Sequence, residues 1–173
     1  DLFDPLADID RTVTVEDNDV ENVSVTPTSL TISEEGGTDT FQVVLTVAPT
    51  SDVVLDITSN DTAEATVLPA TLTFTNSNWN TPQTVTVTGV DDSHLGDDAT
   101  TVTIAVNDAS SDNAYDPVTD KTVSLTLTDD DTPSFTVTPG SLTITEEATG
   151  QDFSVVLGIM PASDVVINIT SSD

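Results

Sequence analysis

Apolar and polar residues alternate through most of the chain. Phe41, Val43, Leu45 and Val47 recur every second residue, and so do Val53, Leu55 and Ile57. The same spacing returns in Val85 and Val87, in Val102, Ile104 and Val106, and in Val123, Leu125 and Leu127. A period of two puts these side chains on one face of an extended strand. Asn22 to Thr26 reads as a first strand that Pro27 breaks and Ser29 to Ser33 resumes, as at a sheet edge or a switch between sheets. Ala65-Thr66-Val67 and Leu72-Thr73-Phe74 give a short fourth strand and its continuation. Glu34-Glu35-Gly36-Gly37 turns the chain, and Asn76 to Pro82 is a polar turn around Trp79. No stretch holds a helical period, and none is long and apolar enough to span a membrane.

Strands this short and this regularly punctuated predict an all-β protein, a seven-stranded immunoglobulin-like sandwich. The pattern also repeats. Shifted by 112 residues, Asp4-Pro5 falls on Asp116-Pro117, Val25-Thr26-Pro27 on Val137-Thr138-Pro139, and Ser29-Leu30-Thr31-Ile32 on Ser141-Leu142-Thr143-Ile144. Glu34-Glu35 falls on Glu146-Glu147, and Ser51-Asp52-Val53-Val54 on Ser163-Asp164-Val165-Val166. Roughly half of the overlapping positions are identical, the mark of a tandem array. The expected division is residues 1–19 as the last strand of a preceding repeat, 20–131 as a complete sandwich, and 132–173 as the opening strands of the following repeat.

Charge changes the picture most. Two Lys and Arg stand against 31 Asp and Glu, a net charge of −29. Nucleic acid and anionic lipid need cations to meet phosphate, so neither is an expected partner. The absence of cysteine removes disulfides and thiolate zinc sites. The acid gathers at turns, while strand faces carry Thr, Ser and Gln. Asp129-Asp130-Asp131 lies between two strand patterns, and Asp17-Asn18-Asp19 is its earlier counterpart. At ~4 Å and an effective dielectric of ~20, each like-charge pair costs about 4 kcal/mol. Arg11 and Lys121 cannot neutralise such clusters, so a metal ion is the expected counter-charge; the alternative, compatible with it, is a solvated acidic surface or adaptation to high salt.

Ile32-Ser33-Glu34-Glu35-Gly36-Gly37, Phe41-x-Val43-x-Leu45, Gly89-Val90-Asp91-Asp92 and Leu127-Thr128-Asp129-Asp130-Asp131 together resemble the Calx-β domain. That calcium-binding sandwich occurs in sodium–calcium exchangers and in tandem in large microbial surface proteins. Asn78 to Gly89 looks more like the microbial repeats. The resemblance implies calcium at one tip, held by Glu34, by Asp91 with Asp92, by Asp97 with Asp98, and by Asp129, Asp130 and Asp131. Glu35 and the repeat counterparts Asp17, Asp19 and Glu146 complete the candidate ligands. The chain departs from the family at Gly96-Asp97-Asp98-Ala99, where glutamates are usual, and at Ser59-Asn60-Asp61-Thr62, in place of a glycine- and aspartate-containing loop. Calcium takes 6–8 oxygens in flexible geometry, which suits short Asp side chains on converging loops better than magnesium's octahedral demand. With His94 as its single imidazole, the chain serves zinc or copper poorly.

The expected function is structural: part of a long secreted tandem-repeat protein, an extracellular fibre, stalk or adhesin, whose domain junctions calcium stiffens. Its partners are then neighbouring repeats of the same chain, with lateral self-association into fibres open to exposed edge strands. The alternative is a calcium-dependent cell-surface module that binds glycan or another cell. Trp79 reads as a cap on the core ahead of a sugar platform, and His94 as an exposed loop residue ahead of a ligand. Catalysis has little footing, since a nucleophilic triad needs a base and no histidine but His94 is present.

Overall fold

The computed structural model describes residues 11–16, 18–147 and 150–171. Two sheets pack face to face. One has the order β1 (Val23–Thr26), β3 (Thr38–Leu45), β7 (Gln83–Gly89), β5 (Ala65–Leu68), all antiparallel. The other has the order β2 (Ser29–Ser33), β9 (Lys121–Thr128), β8 (Asp98–Val106), β4 (Val53–Ser59), β6 (Thr71–Phe74). In this second sheet β2 runs parallel to β9, and the other neighbours are antiparallel. The protein is all-β, with a single 3-10 turn at Asp108–Ser110 among the described residues.

The two interruptions read from the sequence are both crossings between sheets. The first strand divides at Pro27 into β1 and β2, which belong to opposite sheets. The fourth divides at Pro69 into β5 and β6, again in opposite sheets, so Leu72-Thr73-Phe74 is not a continuation in the same ladder. Proline has no N–H to give a ladder, so each crossing falls where a strand must end.

The alternating residues meet between the sheets. Phe41, Val43, Leu45, Val85 and Val87 face Leu55, Phe74, Val102, Ile104, Val123, Leu125 and Leu127, all buried. Burial of side chains this size stabilises by roughly 1.5–3 kcal/mol each. Trp79 is half-buried and packs on this core. Val47 lies past the end of β3, where its carbonyl accepts the Tyr115 hydroxyl at 2.5 Å. Tyr115 is the largest fully buried side chain and closes this end of the sandwich.

Beyond Thr128, β10 (Phe135–Thr138) pairs with β11 (Ser154–Leu157) in a separate two-stranded ribbon. Its register, Phe135 opposite Leu157 and Thr138 opposite Ser154, is that of β1 with β3 at the 112-residue offset: Val23 opposite Leu45 and Thr26 opposite Gln42.

A candidate metal centre at one end of the sandwich

Strand direction gathers the acid. Because β2 runs parallel to β9 with Ser33 opposite Thr128, the residues that follow, Glu34 and Asp129, become neighbours. Antiparallel pairing of β8 with β9 sets Asp98 opposite Leu127, and pairing of β5 with β7 sets Ala65 opposite Gly89. The loops 34–37, 60–64, 90–97 and 129–131 therefore share one end.

Glu34 is the centre of this end. It is 1% exposed, and neither Oε1 nor Oε2 has a hydrogen-bond partner. Two glycines permit this position. A Cβ on Gly89 would lie 2.3 Å from the Ser33 carbonyl oxygen and 3.1 Å from Glu34 Cα, and one on Gly37 would lie 2.7 Å from Ser33 backbone atoms. The turn is tied by the Gly37 amide donating to the Ser33 carbonyl at 3.0 Å and the Gly89 amide donating to the Gly37 carbonyl at 2.9 Å. Side chains at Gly37 or Gly89 would push the Glu34 backbone away from β7.

Three groups of carboxylates converge, each with ligand oxygens within 4.8 Å of one another: Glu34 with Asp129 and Asp131, Glu34 with Asp91 and Asp130, and Glu64 with Asp92 and Asp98. Two oxygens bound to one calcium at ~2.4 Å each can be at most ~4.8 Å apart, so the spacing fits that ion. Glu34 belongs to two groups and has two unpartnered oxygens, which suits a carboxylate shared between two ions. Asp131 Oδ2 and Glu64 Oε2 are likewise buried without partners. Four carboxylate oxygens at one end lack partners, and in the ionised form, as acceptors only, they are a donor set that a cation fits.

Electrostatics agrees. Burial raises the Glu34 carboxyl from 4.5 to about 7, with Asp92, Asp129 and Asp130 adding to the rise; the Asp130 backbone N–H, which does not reach hydrogen-bonding geometry, offsets the smallest part of it. Asp131 is raised by burial and by Asp129, Asp91, Asp130 and Asp92. Glu64 is raised by burial, then by Asp98, Asp92 and Asp61, with His94 opposing. Glu35 is raised first by its hydrogen bond with Asp130 and then by that residue's charge.

Of the sequence candidates, Glu34, Asp91, Asp92, Asp98, Asp129, Asp130 and Asp131 enter the three groups. Glu35 is exposed and reaches Asp130 instead. Asp97 stands outside the groups and accepts the Asp129 amide at 3.1 Å. Asp19 and Glu146 are exposed and belong to none of the groups, and Asp17 lies outside the described residues. Glu64 was missed by the sequence reading. Its signal was an acid directly before β5, at the same end as Asp61. Asp61 itself is used in its loop: Oδ1 accepts the Ala63 amide at 2.9 Å, and its carbonyl accepts the Ala65 amide at 3.1 Å. His94 is half-buried rather than exposed, with its amide donating to Asp92 Oδ1 at 2.6 Å.

The opposite end carries an acid of another kind. Asp112, 7% exposed, accepts the Thr50, Ser51 and Ala114 amides and the Thr50 hydroxyl. These bonds hold its carboxyl down at about 2, the Thr50 bond leading. A carboxylate satisfied in this way is a structural tie, in contrast to Glu34.

No family model and no curated protein matches this chain. Among solved structures, the apo-form Calx CBD1 domain is similar at a TM-score of 0.49 and 14% identity, covering 65% of this chain and 100% of that one. The PapD-like domain 7 of human CEP192 is similar at 0.45 and 15%, covering 72% and 96%. Domains 4 and 5 of the S-layer protein SbsC are similar at 0.41 and 21%, covering 62% of this chain and spanning about half, 51%, of that one. The class is an immunoglobulin-like β-sandwich with an acidic end.

Proposed function

We propose that this chain is a stretch of a secreted tandem-repeat protein, a fibre, stalk or adhesin, in which calcium at the acidic end of each sandwich stiffens the junction to the next. One observation carries the reading: Glu34 is buried, both its oxygens lack partners, and it is shared between two carboxylate groups that include the linker residues Asp129, Asp130 and Asp131. Those three residues directly follow β9 and precede β10, so whatever holds them holds the connection. Residues 20–131 are read as one repeat and 132–173 as the start of another, supported by the shared register of β1–β3 and β10–β11.

Bound calcium supplies positive charge and a preference for several oxygen ligands. Without it, Glu34, Asp91, Asp129, Asp130 and Asp131 repel, and the linker is free to swing. When their charge is met, Glu34 anchors from the core while Asp91 and the linker acids close on it from two sides. Extracellular calcium modules work at about 10⁻⁴–10⁻³ M, which suits a device loose inside a cell and set outside it.

Chelation tests this. Removal of calcium is expected to lower the melting temperature and widen the interdomain distance distribution in X-ray scattering. Identical melting and scattering with calcium and with chelator would refute it.

A further inference from the structure

The loop 90–97 has a second face. Its candidate ligands Asp91 and Asp92 lie toward the sandwich end, but its apex lies against the segment beyond the linker. His94 forms a parallel bridge with Met160, and the Met160 amide donates to the Ser93 carbonyl at 3.3 Å. Leu95 forms one wall of an apolar cleft of about 170 Å³, completed by Pro133, Phe135, Leu157, Ile159 and Val165. Leu95 already lines this space, and the volume left beside it matches a benzene-sized group of ~150 Å³, so its side chain has room to move further in.

Leu95 is flanked by two amides that candidate metal ligands hold. The His94 amide donates to Asp92 Oδ1 at 2.6 Å, and the Gly96 amide donates to Asp129 Oδ2 at 2.6 Å. Asp92 and Asp129 belong to different carboxylate groups. Rearrangement of the Glu64 group around a cation would bear on the His94 amide and rearrangement of the Glu34 group on the Gly96 amide, so each group acts on one neighbour of Leu95. Gly96, at φ +113, gives the backbone the left-handed conformation that directs its amide to Asp129.

We infer that Leu95 is a docking residue: it seats in the cleft of residues 133–165 when the flanking carboxylates are neutralised, and so transmits cation occupancy to the next unit. This rests on the calcium reading above and adds the contact through which stiffening is read out. The apolar seat supplies what the ions alone do not. Ions tie the linker to the sandwich end, whereas Leu95 ties the sandwich to a surface past the linker and so fixes direction as well as distance.

The test uses spin-label distances in the whole chain, which has no native cysteine to interfere. Labels are placed at Thr71→Cys on β6 and Ser163→Cys beyond β11, both exposed. In the unmodified background, calcium is expected to narrow the distance distribution. With Leu95→Ala, calorimetry is expected to show calcium bound in unchanged stoichiometry while the narrowing is lost. Val165→Ala, at another lining residue of the cleft, is expected to reproduce that loss without touching the loop, which covers the case in which Leu95→Ala disturbs folding. Full narrowing in both variants would overturn the inference and leave the calcium reading standing. Absence of calcium binding in the unmodified chain would overturn both.

Discussion

Replacing Glu34 with glutamine separates the cost of a buried charge from its use. In the metal-free protein, Glu34 ionises at about 7 instead of 4.5. At ~1.36 kcal/mol for each tenfold change in proton affinity, the ionised form costs the folded state ~3 kcal/mol. A raised acid binds its proton more tightly when folded, so stability is greatest below 4.5, declines as pH rises towards 7, and is fully reduced above it. Glu34→Gln keeps the shape and stays neutral, so in chelator at pH 8 it is expected to melt higher than the native chain. A gain of ~3 kcal/mol corresponds to roughly 10 °C for a domain of this size. In saturating calcium the order is expected to invert, because glutamine brings no charge to either carboxylate group. The assay is thermal melting followed by circular dichroism at pH 5 and pH 8, with chelator and with calcium. The variants should coincide most closely at pH 5 in chelator, where the native residue is protonated. If Glu34→Gln were the less stable protein in chelator at pH 8, the claim that Glu34 is a buried charge awaiting a cation would fail.

Asp112→Ala removes the acceptor for three amides and a hydroxyl at the far end. Its carboxyl titrates at about 2 against 3.8, so the loss is expected to be ~2 kcal/mol. That contribution is present above 3.8 and disappears as pH falls through 2, and calcium should not alter it; a calcium-dependent loss measured by denaturant titration would contradict the assignment. Gly89→Ala forces a Cβ against the Ser33 carbonyl at 2.3 Å, and is expected to cost about 1–3 kcal/mol and to weaken calcium binding by calorimetry. At Gly36 a Cβ meets nothing within 4 Å although φ is +76. Gly36→Ala should therefore cost only backbone strain, of order 1 kcal/mol, and retain calcium binding.

Much of the sandwich was legible because one face of each strand is buried. Period-two alternation marked Phe41, Val43 and Leu45, and also Val123, Leu125 and Leu127, and all six lie in the core. Pro27 marked where the first strand breaks, but the reading of Leu72-Thr73-Phe74 as a continuation of the fourth strand passed over Pro69 and the change of sheet there. That change depends on pairing between distant strands, which a single sequence does not display. The acidic end was legible as composition: runs of Asp at turns with no cations nearby. Its internal order was not. Glu34 and Glu35 are adjacent in sequence and alike in chemistry, yet one is buried and the other exposed. The difference arises from alternation continuing past the end of β2 and from Gly89, whose missing side chain lets β7 approach Ser33 and Glu34 closely. Glu64 was hidden because its role depends on the Asp61 turn that aims it. Asp112 and Tyr115 lie in a stretch with no strand pattern, and their contacts, with Thr50, Ser51 and Val47, come from a loop over 60 residues away.

The most direct measurement is anomalous diffraction from crystals grown in calcium. Ions within ~2.3–2.6 Å of both Glu34 carboxylate oxygens, one also contacting Asp129 or Asp131 and the other Asp91 or Asp130, are the predicted result. A well-ordered Glu34 with no ion at either oxygen, and Asp129 to Asp131 turned into water, would contradict it.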